Sequence, residues 1–174
     1  MVNTTLQNKI LDLLYKKSSS SLNQRRIASL LNVSAPAVMK ALPKLKKDNL
    51  INISKDRESG RLSISLNWEN TLAKKRVSNL KNIYESGLYK ILENNFPGAA
   101  IVLFGSYSRG DDTESSDIDI AVIGRKEKQL NLKNIEKILF RKINLNFYGS
   151  WTKIHKNLKE NICNGIILAG GVEL

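Results

Sequence analysis

Cysteine and histidine are almost absent from this chain of 174 residues, which contains one of each. A disulfide needs two cysteines, so the solitary Cys163 excludes a disulfide framework and favours a reducing compartment. One cysteine and one histidine are also too few ligands for a structural zinc site. Long apolar runs are missing as well, and we therefore expect a cytoplasmic protein with no signal peptide and no membrane span.

Acidic residues are scarce relative to basic ones. The chain has 28 Lys and Arg against 16 Asp and Glu, a formal net charge of +12. The excess of positive charge is concentrated in residues 1–68, which contain 12 basic and 4 acidic residues. A phosphate backbone is the natural counterpart of such a surface, so the charge favours double-stranded DNA as a partner. The alternative is a basic surface that only keeps the protein soluble.

The front of the chain has the periodicity of three short helices and a hairpin. Apolar residues at helical spacing predict helices over residues 4–17 and 22–31, and a third helix after Ser34, which is placed to cap it. Alternating residues predict strands at 50–54 and 61–66. Pro43 falls inside the third helix, and we expect a kink or an early break there.

This order of elements resembles a winged helix-turn-helix domain, which we assign to residues 1–67. The resemblance implies that the third helix enters the DNA major groove and that the hairpin loop lies on the backbone. The expected DNA contacts are Arg25, Arg26, Ser34, Lys40, Lys44, Lys55, Arg57 and Arg61. A protein–protein module of the same shape is the alternative. Because each half of the chain is small and DNA sites are often symmetric, we expect a homodimer.

Residues 68–97 are polar, with apolar positions near helical spacing, and are predicted to form a helical connector of one or two helices. Residues 98–174 form the second predicted domain. Its first strand, 99–104, is an apolar run that stops at Gly105 and Ser106. A turn of this composition offers backbone N–H groups and a hydroxyl to a phosphate.

A second strand follows, in which Asp117 and Asp119 alternate with Ile118 and Ile120. Side chains alternate across a strand, so both carboxylates should lie on one face. Two adjacent carboxylates repel each other unless a cation sits between them, and hard oxygen ligands suit Mg²⁺. A phosphate-binding turn followed by a metal site predicts nucleotide chemistry.

The Gly-Ser turn followed by Asp-x-Asp between apolar flanks resembles the DNA polymerase beta-type nucleotidyltransferases, in particular their minimal branch, over residues 80–174. The resemblance implies a mixed-sheet domain that binds an NTP and two Mg²⁺ ions at Asp117 and Asp119. Gly105 and Ser106 would bind the β- and γ-phosphates. Arg109 would add a phosphate contact, unless it pairs with Asp111 or Asp112. Minimal nucleotidyltransferases also act as antitoxins beside a helical HEPN partner.

The third carboxylate of that family is missing. In the candidate strand, 142–148, the expected position is occupied by Asn144 or Asn146. An amide oxygen can ligate a cation, but it adds no charge and cannot act as a base. Two interpretations follow for this α+β protein. It is either a weakened enzyme that transfers a nucleoside monophosphate, or an inactive, nucleotide-sensing transcription regulator or antitoxin-like protein.

Overall fold

The computed structural model describes residues 5–55 and 60–171. Within it the chain divides into two compact units, residues 1–74 and residues 75–174. The division falls inside the stretch predicted as a helical connector. Each unit has a hydrophobic core of its own.

The first unit contains three helices followed by a hairpin. Its elements are α1 (Leu6–Lys16), α2 (Gln24–Leu31), α3 (Ala35–Lys47), β1 (Ile51–Lys55) and β2 (Leu62–Leu66). The side chains of Thr5, Asn23 and Ser34 each accept a hydrogen bond from the first turn of the helix that follows. The predicted cap at Ser34 is confirmed, because its hydroxyl accepts the Ala37 N–H at 3.3 Å.

The hairpin completes the core of this unit. β1 and β2 pair antiparallel, and Leu22 forms a further bridge to Ile64. The apolar faces of all three helices pack against the hairpin around Ile10, Ile27, Val38, Leu42 and Ile64. The order of helix, helix, helix and hairpin is the winged-helix arrangement predicted from the sequence.

Pro43 does not end its helix, so the early break is wrong, while the kink named as its alternative stays a prediction. α3 continues through Pro43 to Lys47. The ring removes only the hydrogen bond to the Met39 carbonyl. Pro43 and Met39 are both exposed, so water can satisfy that carbonyl, while the buried Leu42 and Leu45 hold the last turns on the core.

Two helices occupy residues 68–97, namely α4 (Trp68–Glu85) and α5 (Leu88–Asn95). Gly87 separates them with φ +81°, a conformation that glycine adopts at little cost. The boundary between the two compact units lies within α4, after Lys74. No helix in the described ranges is long and apolar enough to cross a membrane.

The second unit is built on a four-stranded mixed sheet. Its remaining elements are β3 (Ala100–Phe104), α6 (Gly105–Arg109), β4 (Ile118–Ile123), α7 (Lys133–Leu139), β5 (Ile143–Tyr148), a 3₁₀ turn (Trp151–Lys153), α8 (Lys156–Cys163) and β6 (Ile166–Ala169). The strand order is β5-β4-β3-β6. β4 and β5 run parallel, and the other two pairs are antiparallel.

The two faces of the sheet have different roles. One face packs on α5, α7 and the second half of α4, in a core that includes Ile83, Leu92, Leu103, Ile120 and Ile135. On the other face a smaller cluster forms around Val102, Phe104, Ile154 and Ile162. Phe104 is paired with Asp119, so Asp119 lies on the second, less completely covered face.

Candidate functional site

Asp117 and Asp119 lie at the beginning of β4. Asp117 immediately precedes the strand and Asp119 is its second residue, and both side chains are partly buried. Ile118 and Ile120, which alternate with them, are fully buried in the main core. The pleat of the strand therefore turns both carboxylates away from that core, to the same face.

Gly105 lies directly against Asp119. It follows Phe104, which pairs with Asp119 across β3 and β4. A Cβ atom built on Gly105 would lie 2.7 Å from Asp119 Oδ2, and the residue has φ +73°. The backbone conformation thus favours glycine, and a larger residue would have to displace the Asp119 carboxylate. Ser106 is next in the chain, and the Ser108 hydroxyl holds the turn by donating to the Gly105 carbonyl at 2.8 Å.

Asn144 is the residue that faces the two carboxylates from β5. It is in register with Asp119. Its Nδ2 group donates to Asp117 Oδ2 at 3.0 Å and to Asp119 Oδ1 at 3.4 Å. One amide therefore lies between two negative groups, the position that a bound cation would favour. Asn146 is paired with Ala121 and donates to the Asn144 carbonyl at 3.4 Å.

The donor set of this site suits a magnesium ion. The two carboxylates supply oxygen ligands of the kind that Mg²⁺ prefers, whereas Asn144 presents its NH₂ group to them. Within residues 5–55 and 60–171, no group of three or more His, Cys, Asp or Glu side chains is placed to hold a metal. The negative charge of Asp119 also reaches Tyr148, where it adds to burial in raising the pKa of the phenol.

Arg109 is exposed at the end of α6. Its Nε donates to Asp111 Oδ2 at 3.1 Å, and both side chains are 47% exposed. Of the two acidic partners considered from the sequence, Arg109 therefore pairs with Asp111, whereas Asp112 pairs with other residues. An exposed pair of this kind is held weakly.

Asp112 is the centre of a buried polar network that sequence reasoning missed. Its carboxylate accepts from Lys75, from Asn79 Nδ2 at 2.7 Å and from Arg141 at 3.2 Å. Asn79 also donates to the Tyr107 carbonyl at 2.9 Å, and Lys75 to the Gly110 carbonyl at 3.3 Å. Burial lowers the pKa of Lys75, while its hydrogen bond to Asp112 acts in the opposite direction. The network ties α4, the end of α6 and the approach to β5 together.

The predicted DNA contacts that lie within the described residues fall into three groups. Arg25, Lys55 and Arg61 line one cleft of about 740 Å³, whose other walls are Asn23, Gln24, Gly60 and Leu62. Lys40 and Lys44 are exposed one turn apart on α3, and Arg26 is exposed on α2. Ser34 is exposed, but its hydroxyl caps α3. Arg57 lies outside the described residues.

Comparisons with known proteins match the second half of the chain most clearly. Residues 85–167 match the family model described as a nucleotidyltransferase domain. Two relatives from Methanocaldococcus jannaschii, named "Putative protein adenylyltransferase MJ1379" and "Putative protein adenylyltransferase MJ0604", are 48% identical over 48 residues and 43% identical over 56 residues. These matches cover 28% and 32% of this chain. The chain spans about half the length of these relatives, 47% and 46%.

Two solved structures show a looser similarity. The S. aureus MepR–DNA complex is 26% identical with a TM-score of 0.42, and it covers 51% of this chain and 67% of its own. Lactococcus lactis ZitR is 24% identical with a TM-score of 0.40, over 55% of this chain and 66% of its own.

The family match encloses Gly105, both carboxylates and Asn144. Residues 85–167 of this chain are therefore similar to a nucleotidyltransferase domain.

Proposed function

We propose that the second unit binds a nucleoside triphosphate with Mg²⁺ and transfers its nucleoside monophosphate to an acceptor hydroxyl. The observation that carries the proposal is the convergence of Gly105, Asp117 and Asp119 in a nucleotidyltransferase domain. The names of the relatives favour adenylate as the transferred group and a protein as the acceptor.

Each residue of the site has a distinct part in this reaction. Asp117 and Asp119 would hold the cation, which supplies charge neutralisation and orients the triphosphate when it is bound. The Gly105 backbone and the Ser106 hydroxyl would bind the terminal phosphates. The acceptor hydroxyl would lose its proton to solvent, its oxygen would form a bond to the α-phosphorus, and the bond from that phosphorus to pyrophosphate would break. A cavity of about 670 Å³ beside Asp117, lined by residues 114–117 and 140–142 and by three residues of α7, offers room for the acceptor.

Replacing Gly105 with alanine should strongly weaken nucleotide binding. The new methyl group would displace the Asp119 carboxylate, and the left-handed backbone would add a cost of about 1 kcal/mol. We expect ATP affinity to fall at least about tenfold, a loss of some 1.4 kcal/mol, as measured by calorimetry. Gly124→Ala is the matched control, because it has φ +88° with open space around its Cβ position. Equal losses in both variants would show that the contact with Asp119 is irrelevant.

A second candidate function is nucleotide binding without turnover, which Asn144 favours. Its amide lies where a third acid would complete the site, and an amide cannot accept the proton of the attacking hydroxyl. In this case the domain is a nucleotide sensor, and the chain is a transcription regulator or an antitoxin-like protein.

Incubation with ATP labelled on the α-phosphate separates the two functions. Transfer predicts pyrophosphate release and a labelled protein, both lost in Asp119→Ala. A sensor predicts that ATP with Mg²⁺ raises the melting temperature of the wild type while no pyrophosphate forms. If ATP neither binds nor reacts, both proposals for this site fail.

We also propose that the first unit binds double-stranded DNA. Arg25 on α2, Lys55 at the end of β1 and Arg61 just before β2 line one cleft. Among the described residues, no acidic side chain lines this cleft. A row of cations along a cleft suits a phosphate backbone, and Lys40 and Lys44 add charge to α3. A homodimer and a helical HEPN-type partner stay predictions.

DNA affinity should fall steeply with salt, because each neutralised phosphate releases counterions. The double variant Arg25→Ala/Lys55→Ala should flatten the plot of log affinity against log salt by about two units. Fluorescence anisotropy with a labelled duplex measures this slope. Lys90→Ala, an exposed lysine of the second unit, should leave it unchanged. A salt-independent affinity would contradict the proposed cleft.

A further inference from the structure

The outer edge of β5 carries backbone groups that pair with no other strand in the described part of the chain. β5 is the terminal strand of the sheet, next to β4. The Lys142 carbonyl accepts from Ile118 and the Tyr148 carbonyl accepts from Gly124, both at 2.8 Å, so the even-numbered residues of β5 direct their backbone groups toward β4. Ile143, Leu145 and Phe147 therefore direct theirs outward.

Apart from Glu136, which accepts the Ile143 N–H, this edge has few of the features that usually protect a terminal strand. β6, the opposite edge, has four residues and an irregular register with β3. β5 has six residues in unbroken register with β4, and it contains no proline and no charged side chain. Long, regular, uncharged edges tend to pair with another strand.

The surroundings of the edge suit a partner with the same charge pattern. A cavity of about 680 Å³ runs along Leu145 and Phe147 and is lined on its other side by residues 127–133 and Glu136. The charged residues there are two glutamates and two lysines, Glu127, Lys128, Lys133 and Glu136. Because the signs are balanced, a two-fold axis can place each glutamate near a lysine of an identical surface.

We propose that a second copy of this chain pairs antiparallel with β5 along this edge. With the two-fold axis at Leu145, the Leu145 residues of the two copies exchange backbone hydrogen bonds in both directions. The Phe147 N–H donates to the Ile143 carbonyl of the second copy. The Ile143 N–H is not needed, because it already donates to Glu136 Oε1 at 3.0 Å.

The pairing has a consequence for the nucleotide site. Asn144 of each copy lies opposite Asn146 of the other, on the face that carries Asp117 and Asp119. The sheets of the two copies become continuous, with both carboxylate pairs on the same face. The interface thus borders both candidate sites, although it forms without nucleotide.

Light scattering over a range of concentrations, without nucleotide, tests the proposal. We expect the wild type to dimerise and Leu145→Pro, which removes the central outward N–H, to weaken the dimer at least about tenfold. Leu145→Val keeps that N–H and should still dimerise. A wild type that is monomeric at every concentration overturns the proposal, whatever the outcome of the ATP experiments.

Amide hydrogen exchange of the wild type decides the matter if Leu145→Pro does not fold. The amides of Leu145 and Phe147 should be protected at high concentration and lose protection on dilution, whereas those of Asn144 and Asn146 should stay protected throughout. A dimer in which Leu145 and Phe147 exchange rapidly uses another surface, and that result contradicts the proposal.

Discussion

Replacing Asp112 with alanine should destabilise the second unit by about 3–5 kcal/mol. The carboxylate is 1% exposed, and its removal leaves the ammonium of Lys75 and the guanidinium of Arg141 buried together without their counter-charge. Two buried like charges also repel each other. Urea denaturation followed by far-UV circular dichroism measures the loss as a shift of the second unit's midpoint.

Asp111→Ala provides the matched control. Asp111 is the neighbouring residue in the chain, but it is 47% exposed and its ion pair with Arg109 lies at the surface. Its removal should change the free energy of unfolding by no more than about 1 kcal/mol. If the two variants have similar midpoints, the buried network does not hold the second unit together.

Replacing Asn144 with aspartate should accelerate nucleotidyl transfer by about 10²–10⁴-fold. The new carboxylate would stand in register with Asp119 and beside Asp117, where it adds a negative charge for the cation and a base for the attacking hydroxyl. The same variant should be less stable without Mg²⁺, since three carboxylates then repel one another. Pyrophosphate release and the melting temperature with and without Mg²⁺ measure the two effects.

Asn146→Asp is the control for this substitution. It adds the same charge on the same face of β5, two residues further along, where the amide reaches the Asn144 backbone and β4 contributes Ala121. We expect a much smaller gain in rate. Equal gains would mean that the third position is not specific to Asn144. No gain in either variant would favour a domain that only senses nucleotide.

Periodicity predicts most of the elements because their local signals agree with their packing. The helices of the first unit begin after Thr5, Asn23 and Ser34, which satisfy the orphan N–H groups of the first turn. The alternation of aspartate and isoleucine likewise predicts β4 and its two faces, because only the isoleucines can enter the core. The candidate nucleotide site follows from the same alternation.

Long-range partners are what the sequence does not specify. Lys75, Asp112 and Arg141 are far apart in the chain, and each resembles an ordinary surface charge until the fold buries them together. Pro43 is the opposite case, in which a strong local signal is overridden because Leu42 and Leu45 are packed in the core. The choice between Asn144 and Asn146 required the register of β5 against β4, which periodicity alone leaves open.

Calorimetric titration of ATP into the wild type and into Asp119→Ala, each with Mg²⁺ and with a chelator, tests the central claim most directly. We predict that the wild type binds ATP with Mg²⁺ and loses most of its affinity with the chelator, and that Asp119→Ala binds weakly under both conditions. Equal binding by the two proteins, or binding by the wild type that is indifferent to Mg²⁺, would contradict a cation held between Asp117 and Asp119.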